Sequence, residues 1–196
     1  MTHTLSLKDL AILSIKDPAL AARELIALKL DRGTLWTGLF LMVVLNTLLH
    51  SLTNILVPGP SPLPGVFDVP AIYLMFVGGG LVLIVLMVFW TGRTFGGTGQ
   101  MEDVMVVLVW LQFLRVIVQA AALLLLLTIP VLSMLLVLAA GFIGLWMLVH
   151  FVNEAHGFGS LGKSAGVLVA AFVGMVVGVS ILLSLIGVSA VGAGYV

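Results

Sequence analysis

From Met101 to Thr128 the chain runs almost entirely apolar, yet Arg115 sits near the middle of the run, flanked by Gln112 and Gln119. At about 1.5 Å per residue such a run can cross a hydrocarbon core of about 30 Å. A full charge at that depth costs at least about 2.5 kcal/mol and calls for a partner. With 62% hydrophobic and only 8% charged residues, the chain cannot bury its apolar side chains in a water-soluble fold of its size. A bilayer has to act as their solvent.

The formal net charge is zero, so no global field attracts nucleic acid. Cysteine is absent, which excludes disulfides, thiolate metal sites and a cysteine nucleophile. The first unbroken apolar run begins near Leu35, behind a leader of mixed charge, and is too long for a signal core. It reads as a retained anchor.

The leader, residues 1–33, holds Lys8, Lys16, Arg23, Lys29 and Arg32 among Asp9, Asp17, Glu24 and Asp31. Asp17-Pro18 has the pattern of a helix start, an N-cap carboxylate followed by proline at the first helical position. The expected helix runs to about Asp31, with Gly33 as its stop. Its leucines spread around the helical wheel, which suits a helix at the membrane surface or against the bundle.

Five spans follow in residues 34–188: about Leu35–Val57, Pro70–Thr91 (interrupted at Gly78-Gly79-Gly80), Glu102–Thr128, Val131–Asn153 and Ser164–Val188. Residues 189–196 form a short tail. Pro58 to Gly65 alternates proline and forbids a helix, and Ile129-Pro130 makes a hairpin. Every lysine and arginine outside the spans falls in the leader, the second loop (Arg93) or the fourth (Lys163). The positive-inside rule then predicts a cytoplasmic N-terminus and an external C-terminus. The expected fold is all-α: an integral membrane five-helix bundle with a cytoplasmic N-terminal helix.

Asn46, His50 and Asn54 share one face of the first span, and Gln112, Arg115 and Gln119 one face of the third. Depth counting pairs Asn46 with Arg115 and His50 with Gln119. Such residues ordinarily hydrogen-bond between helices; the alternative is a polar path or a lipid-headgroup groove, which would make the protein a small transporter, channel or lipid translocator. Arg115 has no carboxylate at its depth, and the alternative to a partner is that it snorkels toward the interface. Gly166, Ala170, Gly174 and Gly178 recur every four residues in the fifth span, a helix-packing pattern.

Gly157 to Ser164 matches GxxxxGK[ST], but a phosphate loop is delivered by a strand, and here a membrane span precedes it. A glycine turn is the expectation. His150, Glu154 and His156 have ligand chemistry for zinc, but His156 is expected past the helix end, and a His150–Glu154 hydrogen bond is the simpler reading. No nucleophile elbow or intramembrane aspartate pair occurs, so no catalytic residue, metal or cofactor is expected.

A leader helix opened by Asp17-Pro18, five tight spans, Gly92-Arg-Thr-Phe-Gly-Gly-Thr-Gly before the third and Trp146-Met-Leu-Val-His-Phe-Val-Asn-Glu-Ala-His156-Gly ending the fourth form a pattern. Met101-Glu-Asp-Val and Trp110-Leu-Gln112 in the third span, and Lys163-Ser164 after the fourth, belong to it. It resembles the YIP family of Rab-GTPase-interacting membrane proteins, in its bacterial branch, over about Ser14 to Gly187. The resemblance implies a five-helix membrane domain without catalytic residues, in a bacterial inner membrane. Rab-type GTPase binding is not expected, because the short leader lacks the Asp-Leu-Tyr-Gly-Pro type motif of eukaryotic members. The expected role is non-enzymatic association with lipid, a second copy or another membrane protein. Arg93, Gly96, Gly97, Glu102, Asp103, His150, Glu154, His156 and Lys163 are the candidate loop contacts.

Overall fold

The computed structural model describes residues 6–58 and 65–185. Ser6 caps the first helix, α1 (Leu7–Lys16), by accepting from the Asp9 amide at 3.2 Å. Asp17 opens α2 (Pro18–Ala27) as its sequence promises, accepting from the Leu20 amide at 2.9 Å. In place of one leader helix there are therefore two. α2 stops short of Asp31 because the chain turns at Lys29, which takes φ 47°. Gly33 stops nothing; it lies in the first turn of α3 (Arg32–Leu56).

Asp31 instead caps α3, accepting from the Thr34 amide at 3.0 Å and the Thr34 hydroxyl at 2.6 Å. These bonds, the hydroxyl's foremost, hold its carboxyl below the ordinary 3.8. A depressed folded value means that the cap's contribution is complete at neutral pH and fades only as pH falls through that lowered value. Thr34 amide protection is expected to persist at about pH 5 and to vanish below the usual aspartate range, as hydrogen exchange would show.

A short 3-10 turn at Gly65–Asp68 leads into α4 (Pro70–Thr94), followed by α5 (Met101–Thr128), α6 (Pro130–His156) and α7 (Leu161–Leu185). Among the described residues, helices α3 to α7 are the five long and apolar enough to cross a membrane. Gly78-Gly79-Gly80 does not interrupt α4. α4 and α6 also run past their expected ends at Thr91 and Asn153, leaving connections of only 95–100 and 157–160. Gly157, at φ 65°, terminates α6 in the left-handed conformation that glycine adopts without a Cβ penalty. The expected end of the fifth span at Val188 and the tail lie outside the described residues.

α5 is the hub: it packs on α3, α4 and α6, while α7 closes the bundle against α4 and α6. The Ser133 hydroxyl donates to the Ala122 carbonyl at 2.7 Å and sets the antiparallel register of α5 and α6. The tightest core lies toward the leader end, where Leu35, Leu39, Val85, Met105, Val107 and Phe151 are almost fully buried. There α2 lies against the bundle on Pro18, Ala21, Ala22 and Leu25. That stripe is mostly small residues, so the leucines alone do not reveal it.

α1 docks through Ser14, which is fully buried and accepts from the Trp110 indole at 2.9 Å. Trp110 lies nine residues along α5 from Met101, about 13 Å at helical rise. α1 carries Lys8, Asp9 and Lys16, which hydrocarbon does not accommodate. A bilayer around the bundle is therefore expected to bring its headgroup layer on this side near the level of Trp110. The α5–α6 register puts Trp146 beside that level, where tryptophan is favoured.

Candidate functional site

Two assemblies of polar side chains stand out. The first closes the leader end. His156, at the end of α6, is 1% exposed. Its ring lies so close to Gly92 that a Cβ there would fall 2.2 Å from it, and a Cβ on Gly97 would fall 2.8 Å from Nδ1. Phe158 stacks on the other side at 5.1 Å. The Thr98 amide donates to the His156 carbonyl at 3.0 Å and the Gly97 amide to the Gly92 carbonyl at 2.9 Å. The 95–100 loop is thus threaded over the end of α6, and Gly92, Gly97 and Gly99 supply the missing bulk that allows it. Both imidazole nitrogens are buried with no hydrogen-bond partner among the described residues.

Ion pairs tie the leader to this platform. Arg23 meets Glu154 at 3.3 Å, Lys29 meets Asp103 at 3.8 Å, and Arg32 pairs with Glu102. The basic partners are largely exposed, so each pair contributes at most about 1 kcal/mol; they orient the leader more than they hold it. Asn153 accepts from the Ser160 amide at 2.9 Å, and the Ser164 hydroxyl donates to the Val149 carbonyl at 2.5 Å, fixing the α6–α7 turn.

Of the predicted loop contacts, Gly97 and His156 come together, while Glu102, Asp103 and Glu154 are engaged by the leader. Gly96 takes the positive φ of the loop, 86°. Arg93 and Lys163 are exposed, Arg93 lying 6.0 Å over the Phe89 ring. His150 does not bond to Glu154: its Nδ1 meets the Trp146 carbonyl at 2.9 Å, one turn back, and Glu154 turns to Arg23. His156 is within the helix, not beyond it, but faces the glycine cradle. No group of metal ligands occurs among the described residues. The Gly157–Ser164 pattern joins two helices, as expected of a turn.

The second assembly lies toward the far end. The Asn46 amide donates to Gln119 at 3.0 Å and its oxygen accepts from the Tyr73 hydroxyl at 3.0 Å. Tyr73 stacks on His50 with ring centroids 3.8 Å apart and planes 5° from parallel. Asn54 approaches His50 Nε2 at 3.3 Å and Asp68 at 3.5 Å. Asn46 therefore pairs with Gln119, not at the level of Arg115, and His50 pairs with Tyr73. Equal counting from the two helix ends fails because Gln119 lies 17 residues past Glu102 whereas Asn46 lies 14 past Arg32. Replacing Asn46, 3% exposed, with leucine would strand Tyr73 and Gln119 together. A loss of about 0.6–2 kcal/mol is expected in reversible unfolding from bicelles.

Within the chain, the four-residue row on α7 makes no close backbone approach. A Cβ on Gly166 would meet Phe95 at 3.6 Å and one on Gly174 would meet Met87 at 3.4 Å, ordinary contacts, and one on Gly178 would meet nothing within 4 Å. Ala170 is half-buried; the buried face of α7 is Ser164, Val167 and Ala171. Close backbone approach occurs instead at Gly92 and Gly99. Those two, with Ser14, Tyr73, Trp110 and Asn153, are what the sequence hid. Their partners lie on other helices, save that of Asn153, Ser160, which lies in the 157–160 connection.

A family model described as the Yip1 domain matches residues 12–183. Comparison with curated proteins and with solved structures gives no match. A match over nearly the whole chain, on a five-helix bundle of membrane-spanning length, means that this protein belongs to the YIP family.

Proposed function

We propose that this chain is a non-catalytic organiser of its membrane, acting through lipid and through partner helices, with its N-terminus and the 95–100 and 157–160 connections on the cytoplasmic side of a bacterial inner membrane. The observation that carries the reading is how the intramembrane polar groups are used. Asn46, Gln119 and Tyr73 satisfy one another across helix contacts, and His50 stacks on Tyr73 and meets Asn54, instead of lining a polar conduit. A cavity of about 340 Å³ among α4, α6 and α7 is walled by apolar residues such as Ile84, Met87, Leu145, Leu148, Phe172 and Met175. That lining suits hydrocarbon, not a hydrated solute. The leader, packed against α5 and α6, presents a face for association.

The test is reconstitution of the full chain at defined protein-to-lipid ratios, followed by crosslinking and native mass spectrometry alongside solute-flux and lipid-flip assays. Discrete oligomers or co-purifying membrane proteins without flux are expected. Flux that scales with protein amount would overturn the reading in favour of transport.

A further inference from the structure

Arg115 is exposed on α5, and among the described residues it forms no ion pair. Its row-mates differ. Gln119 is engaged by Asn46, and Gln112, half-buried, lies one turn toward the leader on the same face. The α6 side of this level is open. Ser133 bonds to Ala122; Ala140 is as far beyond Ser133 as Arg115 is before Ala122, so the two share a level in the antiparallel pair. One turn on, Gly144 has space around it: a Cβ there, or on Gly141, would meet nothing within 4 Å. Small residues of α6 thus stand at the level of the charge and one turn beyond it.

The level relative to the bilayer matters as much. Arg115 lies five residues, about 7.5 Å, beyond Trp110. Docking of the charged helix α1 on Trp110 is expected to bring the headgroup layer near that residue. Side chains on a helix lean toward its N-terminus, which for α5 is the leader end, so that layer is on the side to which the Arg115 side chain can reach. Lys8 and Lys16 are exposed on α1. The anion available to a guanidinium at this boundary is a phosphate, which its planar fork matches in two parallel bonds.

We infer that Arg115, with Gln112 beside it, binds a phosphate group in the leader-side leaflet, the small residues Ala140 and Gly144 admitting the phospholipid that carries it. This deepens the lipid half of the proposed function and rests on that reading. It concerns one site, however, and survives if no partner protein is ever found.

The experiment is native mass spectrometry of the full chain exchanged into detergent with phosphatidylglycerol, phosphatidylcholine or uncharged diacylglycerol, with inorganic phosphate as competitor. Wild type is expected to retain both phospholipids but not diacylglycerol. Arg115→Gln should weaken retention about tenfold, while Arg115→Lys, a point charge without the fork, should fall between. Competition by millimolar inorganic phosphate would assign the site to soluble phosphate and still support it; resistance to competition would assign it to lipid. Should Arg115→Gln not accumulate, the lysine variant and the diacylglycerol comparison decide. Equal retention by wild type and variants, or equal retention of diacylglycerol, overturns the proposal. Equal retention with intact oligomers would leave the association reading standing, so the two failures are distinguishable.

Discussion

Gly99→Ala should abolish accumulation of the folded protein, although it adds a single methyl group. The new Cβ would lie 1.9 Å from the Ala155 carbonyl oxygen and 2.9 Å from its carbon, both backbone atoms of α6. No rotamer change relieves such a contact; the loop has to lift from the helix. Lifting breaks the Thr98 amide bond to His156 and uncovers a ring whose burial the glycines permit. Overpacking commonly costs about 1–3 kcal/mol and more where the backbone itself is met, a large share of a total stability of about 5–15 kcal/mol.

Gly92→Ala makes an informative comparison, because its clash is with the His156 ring at 2.2 Å. The pair Gly92→Ala with His156→Ala should recover most of the loss that Gly92→Ala causes. His156→Ala should do nothing for Gly99→Ala. Yield of monodisperse protein and urea midpoints in mild detergent would measure the cycle. Rescue of both glycine variants by His156→Ala would show that the ring, not the α6 backbone, limits the approach.

This contrast explains what the sequence reveals and what it withholds. Crossing a bilayer demands only length and apolar content, so α3 to α7 are legible one helix at a time. The Asp17-Pro18 start and the Ile129-Pro130 hairpin are local chemistry and are legible too. A glycine's need for space depends on what faces it: Gly166 and Gly174 look like packing residues and meet ordinary contacts, whereas Gly99 looks like loop filler and touches a carbonyl. Asn46 and Gln119 are visible as polar residues in apolar helices, but their pairing depends on how α3 and α5 are displaced relative to each other. Ser14 and Trp110 are 96 positions apart, and neither marks the other. The family match fits the same division, for it covers the spans and says nothing of which side chains meet.

Trp110→Ala is the second large effect expected, and it is selective. The indole is 7% exposed, packs on Phe113 at 5.2 Å and donates to Ser14 across the α1–α5 contact. Truncating it opens a cavity, for which about 3–5 kcal/mol is usual, and removes the bond that seats α1. Because α5 remains packed on α3 and α6 below this level, the loss should fall on the leader. Hydrogen exchange at residues 7–16 should rise to near the unprotected rate, while α5 beyond Gln112 keeps its protection. Ser14→Ala separates the two contributions: it removes only the hydroxyl and leaves the buried indole N–H without an acceptor, at about 1–3 kcal/mol. α1 should then loosen without detaching. If Trp110→Ala leaves α1 protected, the buried Leu10 and the packing of α1 on α2 and α6 seat it without the indole.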